Sequence, residues 1–326
     1  MKRCVLCLTL SLSILLSACG GQGEDSRSQA SSLLGGAAGL EDDEILLTVD
    51  DREVPAWRYL YWLARTCDAI YEDYEAAGQK PDWTDSVGTA SLGEYAKAQA
   101  LSDTLLYATV ENWAEGYGCE ISEQESGEPA YGDPKLGLGA AQAAELDNVG
   151  RMYSKLYELF YAGESALVPS EEELAAFAEK NGWLSMDRIL VAADDDRDAA
   201  REKAAEMFSR LNAAADQTAE FAGLAAAGDD AGGQRTFCLG DGTVDPILEK
   251  ALQELEEGQC SGILESEEGF SILRKLEVPK ETLMEPYFDQ LLQSAAETAK
   301  VQCGEAYNEL NAEAFYRELQ KLRKAE

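Results

Sequence analysis

The sequence predicts an α+β protein in which a four-stranded antiparallel unit sits within mainly helical segments. Between Trp183 and Val278 the residue pattern follows the order β-α-α-β-α-β-β, with helical excursions between strands able to pair antiparallel. On either side, apolar residues recur at helical spacing, with capped starts and glycine stops. The chain has 326 residues, 45% of them apolar, which is enough for two domains with real cores.

The first residues read as an export signal. Met1-Lys2-Arg3 is a positive n-region, Val5 to Leu16 an apolar h-region too short to span a bilayer, and Leu16-Ser17-Ala18 supplies small residues ahead of Cys19. This resembles a bacterial lipoprotein signal. The resemblance implies that residues 1–18 are removed and that Cys19 carries the lipid. Loss of Lys2 and Arg3, with no acid lost, would move the formal charge from −35 to −37. Residues 19–40, rich in Gly, Ser and Ala and without periodicity, read as a flexible tether, so the folded part should begin near Glu41.

From there the elements follow in order. Ile45 to Val49 is a β-rich run and Asp50-Asp51 a turn. Pro55 then opens a helix in which Trp57, Leu60, Leu63, Cys67, Ile70 or Tyr71, and Tyr74 recur until Gly78. Ser91 with Glu94 reads as a capping box for a second helix carrying Tyr95, Leu105, Leu106, Val110 and Trp113. A start at Ser122 is soon interrupted by Gly127, Pro129 and Gly132. The third helix runs from about Ala140 to Ala162, with Leu146, Val149, Met152, Tyr153, Leu156 and Phe160 on its apolar face. Ser170 with Glu173 opens a fourth, which stops at Asn181-Gly182. The aromatic residues of these helices are either packing core or a groove for extended polypeptide.

The central unit begins with a strand, Trp183 to Ala192, followed by Asp194-Asp195-Asp196 as an N-cap or, alternatively, calcium ligands. Helices are expected at Arg197 to Asn212, with Ala200, Ala204, Met207, Phe208 and Leu211 inward, and at Thr218 to Ala227. Arg235 to Leu239 reads as a strand, Pro246 to Glu256 as a helix, and Cys260 to Glu265 with Ser271 to Val278 as a hairpin pair. After Pro279, a helix is expected over Leu283 to Ala299, a short strand over Val301 to Cys303, and a last helix over Ala312 to Lys324.

Composition excludes several function classes. With 62 acidic against 27 basic residues, the surface repels nucleic acid, so no nucleic-acid partner is expected. The chain has no histidine, which removes Ser-His and Cys-His nucleophiles, imidazole metal sites and the usual near-neutral proton shuttle. Cys67, Cys119, Cys238, Cys260 and Cys303 remain after the signal and Cys19, an odd set without a CxxC pair; they are free thiols or include a disulfide, with Cys238 and Cys260 the first pair to test. No metal site or cofactor is implied.

The central stretch resembles a parvulin-type (PpiC) peptidyl-prolyl isomerase domain, which five short matches carry. Arg188-Ile189-Leu190-Val191 looks like the family's His-Ile-Leu-Val strand, and Phe221-Ala222-Gly223-Leu224-Ala225 like its Phe-x-x-Leu-Ala helix. Gly232-Gly233 look like the glycines before its second strand. Leu248-Glu249-Lys250-Ala251 with Leu255 and Gly258 match its third helix, and Ser261, Gly269 and Ile272-Leu273 its closing hairpin. The resemblance implies a parvulin-like four-stranded antiparallel sheet over 169–279.

It also implies a site. In the family two histidines form a hydrogen-bonded floor, accompanied by a cysteine or aspartate from the loop before the glycines; the matching residues here are Arg188, Ser271 and Asp229 or Asp230. Phe237 and Leu248 would line the proline pocket, while Gln234 and Arg235 stand where the family usually has Asp and Leu. Isomerisation requires rotation over an amide barrier of roughly 18–20 kcal/mol, lowered by favouring the twisted amide over the planar one. An Arg-Asp pair can replace the floor in form, or be an ordinary ion pair; a guanidinium is not a neutral imidazole.

The whole arrangement resembles exported foldases of the PrsA and SurA type. That resemblance implies that 41–168 and 280–326 build one helical chaperone domain into which 169–279 is inserted. The expected function is that of a lipid-anchored foldase on the extracytoplasmic face of the bacterial cell membrane. It would bind unfolded or proline-containing exported polypeptides, with a parvulin-like domain of weak or lost activity. The alternative is an active, histidine-free prolyl isomerase. A solute-binding lipoprotein would need repeated βα units, which the pattern lacks.

Overall fold

A computed structural model describes residues 32–122, 134–163, 167–193, 196–230 and 233–325. In chain order the elements are α1 (Leu33–Ala38), β1 (Ile45–Val49), β2 (Arg52–Pro55), α2 (Ala56–Ala76), β3 (Ser86–Val87), β4 (Ala90–Ser91) and α3 (Leu92–Tyr117). There follow α4 (Ala140–Tyr161), α5 (Glu171–Lys180), β5 (Trp183–Ala192), α6 (Arg197–Ala213), α7 (Gln217–Ala227), β6 (Arg235–Cys238) and α8 (Pro246–Gln253). The chain closes with β7 (Leu264–Glu265), β8 (Gly269–Leu276), α9 (Lys280–Thr298), β9 (Val301–Cys303), α10 (Glu305–Glu309) and α11 (Ala312–Arg323). The fold is α+β with antiparallel sheets, and it divides into two units: Met1–Leu159 with Leu291–Glu326, and Phe160–Gln290.

In the first unit the two ends of the chain share one sheet, ordered β2-β1-β9, with Leu47 opposite Cys303 and Val49 opposite Val301. Helix α11 buries Phe315, Tyr316 and Leu319 in the same core as Leu60 and Leu63 of α2. The Tyr316 hydroxyl donates to Asp68 Oδ1 at 2.8 Å, and Arg323 donates to both Asp68 oxygens at 2.7 and 2.9 Å. Burial and the Asp68 carboxylate together push the Tyr316 phenol well above its ordinary range.

Three features of this unit differ from the sequence expectation. Residues 19–40 were expected as a tether, yet Ser32 caps a short helix, its hydroxyl accepting from Gly35 N at 3.1 Å and donating to Asp42 Oδ1 at 2.6 Å, and Leu34 is fully buried. A Cβ on Gly35 would lie 2.4 Å from Asp42 Oδ1, so the small residues that suggest a linker are what close packing requires here. Helix α2 has no single apolar face over its first turns: Trp57, Arg58, Tyr59, Leu60, Tyr61, Trp62 and Leu63 are all buried. Helix α3 buries Val110 as expected, but most of its inward face is small: Ala96, Ala100, Thr104 and Ala108. Small side chains let α2 and α3 approach closely, leaving Tyr95, Leu105, Leu106 and Trp113 half-buried.

In the second unit the sheet order is β6-β5-β8-β7, all antiparallel. The unit extends past 169–279 at both ends because Phe160 and Phe288 pack with ring centroids 5.0 Å apart and Tyr287 meets Phe177 edge-on at 5.4 Å. The Ser170–Glu173 capping box is formed. Cys260 to Glu265, expected as one strand, is reduced to β7 and an isolated bridge from Cys260 to Arg274. There Leu273 N donates to Ser261 Oγ at 2.8 Å, a side-chain oxygen standing in for a ladder carbonyl.

Candidate functional site

The register of β5 on β8 builds the site face. Arg188 lies opposite Leu273 and Leu190 opposite Ser271, so Met186, Arg188 and Leu190 share a face with Ser271 and Leu273. The opposite face carries Ile189, Val191, Phe270 and Ile272, covered by α6 and α7. Helix α8 closes one end of the site face: Phe237, opposite Leu184 on β6, packs with Leu248, Leu252, Met186 and Leu273. Phe237 and Leu248, expected to line a proline pocket, are 5% and 1% exposed, and these five residues fill that end of the face with one another.

Beside this cluster Arg188 is 9% exposed and bonded through all three of its guanidinium nitrogens. Its Nε and Nη2 donate to Asp230 Oδ2 at 3.0 and 2.6 Å, and its Nη1 donates to Glu268 Oε2 at 2.7 Å. Asp230 also accepts from Arg235 Nη2, so one carboxylate serves two guanidinium groups. Burial alone would raise the Asp230 carboxyl, but the two guanidiniums outweigh it and hold the group below the usual carboxylate range. Burial likewise works against charge on Arg188, and Asp230 and Glu268 reverse it, so the guanidinium stays protonated throughout.

The two aspartates separate in role. Helix α7 ends against β5, where a Cβ on Gly228 would lie 2.9 Å from Leu190 O and Asp229 N donates to that same carbonyl at 2.9 Å. This turn aims Asp230 at Arg188 and sends Asp229 the other way: Asp229 Oδ2 accepts from Ala192 N at 2.9 Å and faces Lys203 Nζ at 3.4 Å. Ser271 is completely buried, and its Oγ has no hydrogen-bond partner. The structure thus brings Arg188 and Asp230 into contact, leaves Ser271 diagonal to Arg188 on the same face, and takes Asp229 out of the group.

Glu268 is the member that sequence reasoning missed. It sits in the β7–β8 turn, fixed because Ala193 N donates to Glu268 O at 3.1 Å. Gly269 follows with φ +141°, and a Cβ there would stand 2.2 Å from Val191 O, so only glycine fits. Nothing local in the sequence marks Glu268; only the glycine after it signals a backbone pressed against β5.

Chemically, the cluster holds one buried cation between two carboxylates and one buried hydroxyl. A guanidinium exchanges no proton near neutral pH, so the arrangement offers hydrogen bonds and charge but no proton shuttle. Asp196 caps α6, accepting from Ala199 N at 3.0 Å; Asp194 and Asp195 lie outside the described residues, as does Cys19. Among the described residues no three Cys, Asp or Glu side chains converge as a metal site, and no helix is long and apolar enough to cross a membrane. The five described cysteines are free thiols. Cys238 pairs with Trp183 on β5, whereas Cys260 bridges Arg274 on the far side of β8. About three strand spacings, roughly 14 Å, separate them, and a disulfide needs Cα atoms within about 7 Å.

Residues 184–277 match the family model of the rotamase, PPIC-type PPIASE domain. This stretch is therefore a parvulin-type domain. No curated protein matches the chain in sequence. Among solved structures, a SurA-like chaperone from Campylobacter jejuni aligns at 11% identity and TM-score 0.25 over 80% of this chain and 99% of its own. The foldase protein PrsA of Streptococcus pneumoniae aligns at 15% identity and TM-score 0.27 over 82% and 84%. PrsA of Bacillus cereus does so at 14% and 0.24 over 87% and 93%. At these scores the family assignment rests on residues 184–277 alone.

Proposed function

We propose that this protein is a membrane-anchored extracytoplasmic foldase that binds unfolded exported polypeptides, and that its parvulin-type domain has weak or no isomerase activity. The observation carrying the second part is the Arg188 cluster. Three of the five guanidinium N–H groups are committed to Asp230 and Glu268, and Phe237 and Leu248 are packed into the core rather than left as an empty pocket. Catalysis of rotation needs donors aimed at the twisted amide and an apolar seat for the ring. Here the Arg188 donors are turned to carboxylates, and the seat is occupied by its own side chains.

Two assays test this together. In a protease-coupled proline-peptide assay the expected rate lies close to the uncatalysed one, and in a light-scattering assay the protein suppresses aggregation of a chemically unfolded client. Catalysis abolished by Phe237→Ala would overturn the first reading, while failure to slow aggregation would remove the chaperone assignment. The alternative, a histidine-free isomerase using Arg188, Asp230 and Ser271, is favoured by one observation, the unpartnered Ser271 hydroxyl on the site face. Anchoring through Cys19 is read from the signal motif. Cys19→Ala should leave the protein unlipidated and extractable without detergent, and unchanged membrane retention would count against it.

A further inference from the structure

The Arg188 side chain does more than fill the place of a smaller residue. Asp230 follows α7, and Glu268 belongs to the β7–β8 turn, so the guanidinium ties together two loops from opposite sides of the site face. We infer that Arg188 is an autoinhibitory clasp over the peptide-accepting face of the parvulin-type domain, and that a cationic side chain of an extended polypeptide opens it by taking its place on Glu268. The inference rests on the reading of residues 184–277 as a domain that accepts polypeptide.

Three observations support it. The first is the hydroxyl diagonal to the clasp on the same face: Ser271 Oγ is buried without a partner, and a buried orphan of that kind is costly. A peptide carbonyl docked on this face would accept from it, so the closed arrangement stores an unsatisfied donor that an occupant would satisfy. The second is the asymmetry of the two anchors. Asp230 retains Arg235 when Arg188 leaves, so its charge stays balanced, whereas Glu268 has a side chain 63% exposed at the rim, where an incoming cation can reach it. The third is that the backbone beside each anchor is held independently of Arg188. Glu268 is held by the Ala193 N to Glu268 O bond and by the close approach of Gly269 to β5, and Asp230 by the Asp229 N to Leu190 O bond. Opening is then a rotamer change of one side chain, not a loop rearrangement. Charge complementarity supplies the occupant: in a chain of net charge −35, the exposed carboxylate on the site rim favours a segment carrying Lys or Arg over an acidic one.

The test uses the full-length chain in detergent and three fluorescein-labelled peptides, identical around a central Ala-Pro except for Lys, Gln or Glu at one flanking position. Binding is read by anisotropy for wild type, Arg188→Met and Glu268→Gln. Wild type should prefer the Lys peptide over the Glu peptide by about tenfold, the size expected of one charged hydrogen bond. Glu268→Gln should reduce that preference to about twofold. Arg188→Met should tighten the neutral Gln peptide by about tenfold, because the closing interaction is gone. The clasp is overturned if Glu268→Gln leaves the Lys-over-Glu preference intact, if Arg188→Met binds the Gln peptide no better than wild type, or if no peptide binds any variant. Because Glu268 is exposed, its variant stays informative even if Arg188→Met unfolds. Aggregation suppression separates the two ideas: kept while the peptide results fail, it removes only the clasp; lost, it removes the chaperone reading itself.

Discussion

Ser271→Ala should stabilise the parvulin-type unit, although Ser-to-Ala changes in cores that delete a hydrogen bond destabilise. Ser271 is fully buried between Leu190 and Leu264, and its hydroxyl has no partner. Leaving such a group unsatisfied costs about 1–3 kcal/mol. Removing one oxygen leaves a void smaller than a methyl group, which costs at most about 1 kcal/mol. The balance is a gain of about 1 kcal/mol, or roughly 2–5 °C in the melting temperature of a unit of this size. Native-state hydrogen exchange at β5 and β8 amides assigns the gain to this unit, since those strands pair over eight residues from Ser185 to Ala192. A loss of 1 kcal/mol or more would mean that the hydroxyl does have a partner. The orphan-donor argument for this face would then fail.

Other expectations concern the rest of the molecule. Arg58 and Glu111 form a buried two-bond pair at 2.7 and 2.9 Å between α2 and α3, so Arg58→Met alone should cost about 3 kcal/mol by stranding the carboxylate. The double variant with Glu111→Leu should recover at least about 2 kcal/mol of that in urea unfolding; simple additivity would refute the coupling. Asp103 on α3 has its carboxyl pushed up to about 6 by burial, against the opposing hydrogen bond from Gln99 and the charge of Arg65. The folded state therefore holds this proton more tightly than the unfolded state, and stability falls as pH rises from about 4 through 6. Asp103→Asn should flatten that slope, gaining about 2–3 kcal/mol at pH 7 and nothing near pH 3.5; a parallel pH profile would sink the assignment. With a bulky maleimide, exposed Cys303 should label in the folded protein and buried Cys67 and Cys119 only after unfolding; a Cys238–Cys260 disulfide in non-reducing peptide mass analysis would contradict the sheet order.

Legibility in the sequence tracked how local the cause of each feature is. Strand β5 runs from Trp183 to Ala192 as read, because a mainly apolar segment after Asn181-Gly182, broken only by Ser185 and Asp187-Arg188 and ending in Ile189-Leu190-Val191, is decided by its own residues. The Ser170–Glu173 capping box is equally local. Faces were less legible than elements. On α3 Tyr95, Leu105 and Trp113 are only half-buried, while Ala96, Ala100, Thr104 and Ala108 are buried, because what an inward face must be depends on how near the neighbouring helix comes. The Gly- and Ala-rich stretch before Glu41 misleads for the same reason.

The sequence by itself determined the order of elements in residues 183–278, the absence of imidazole chemistry and the export-signal pattern around Cys19, because each follows from residue type and near-neighbour spacing. Only the tertiary structure decided which aspartate meets Arg188, that Glu268 completes the cluster, that Ser271 keeps an unpaired hydroxyl, and that β9 pairs with β1 across some 250 residues. Those outcomes hang on the β5–β8 register and on where α7 and the β7–β8 turn dock. A one-residue slip in that register would turn every side chain to the other face, and no local pattern around Asp230 or Glu268 specifies where their carboxylates point.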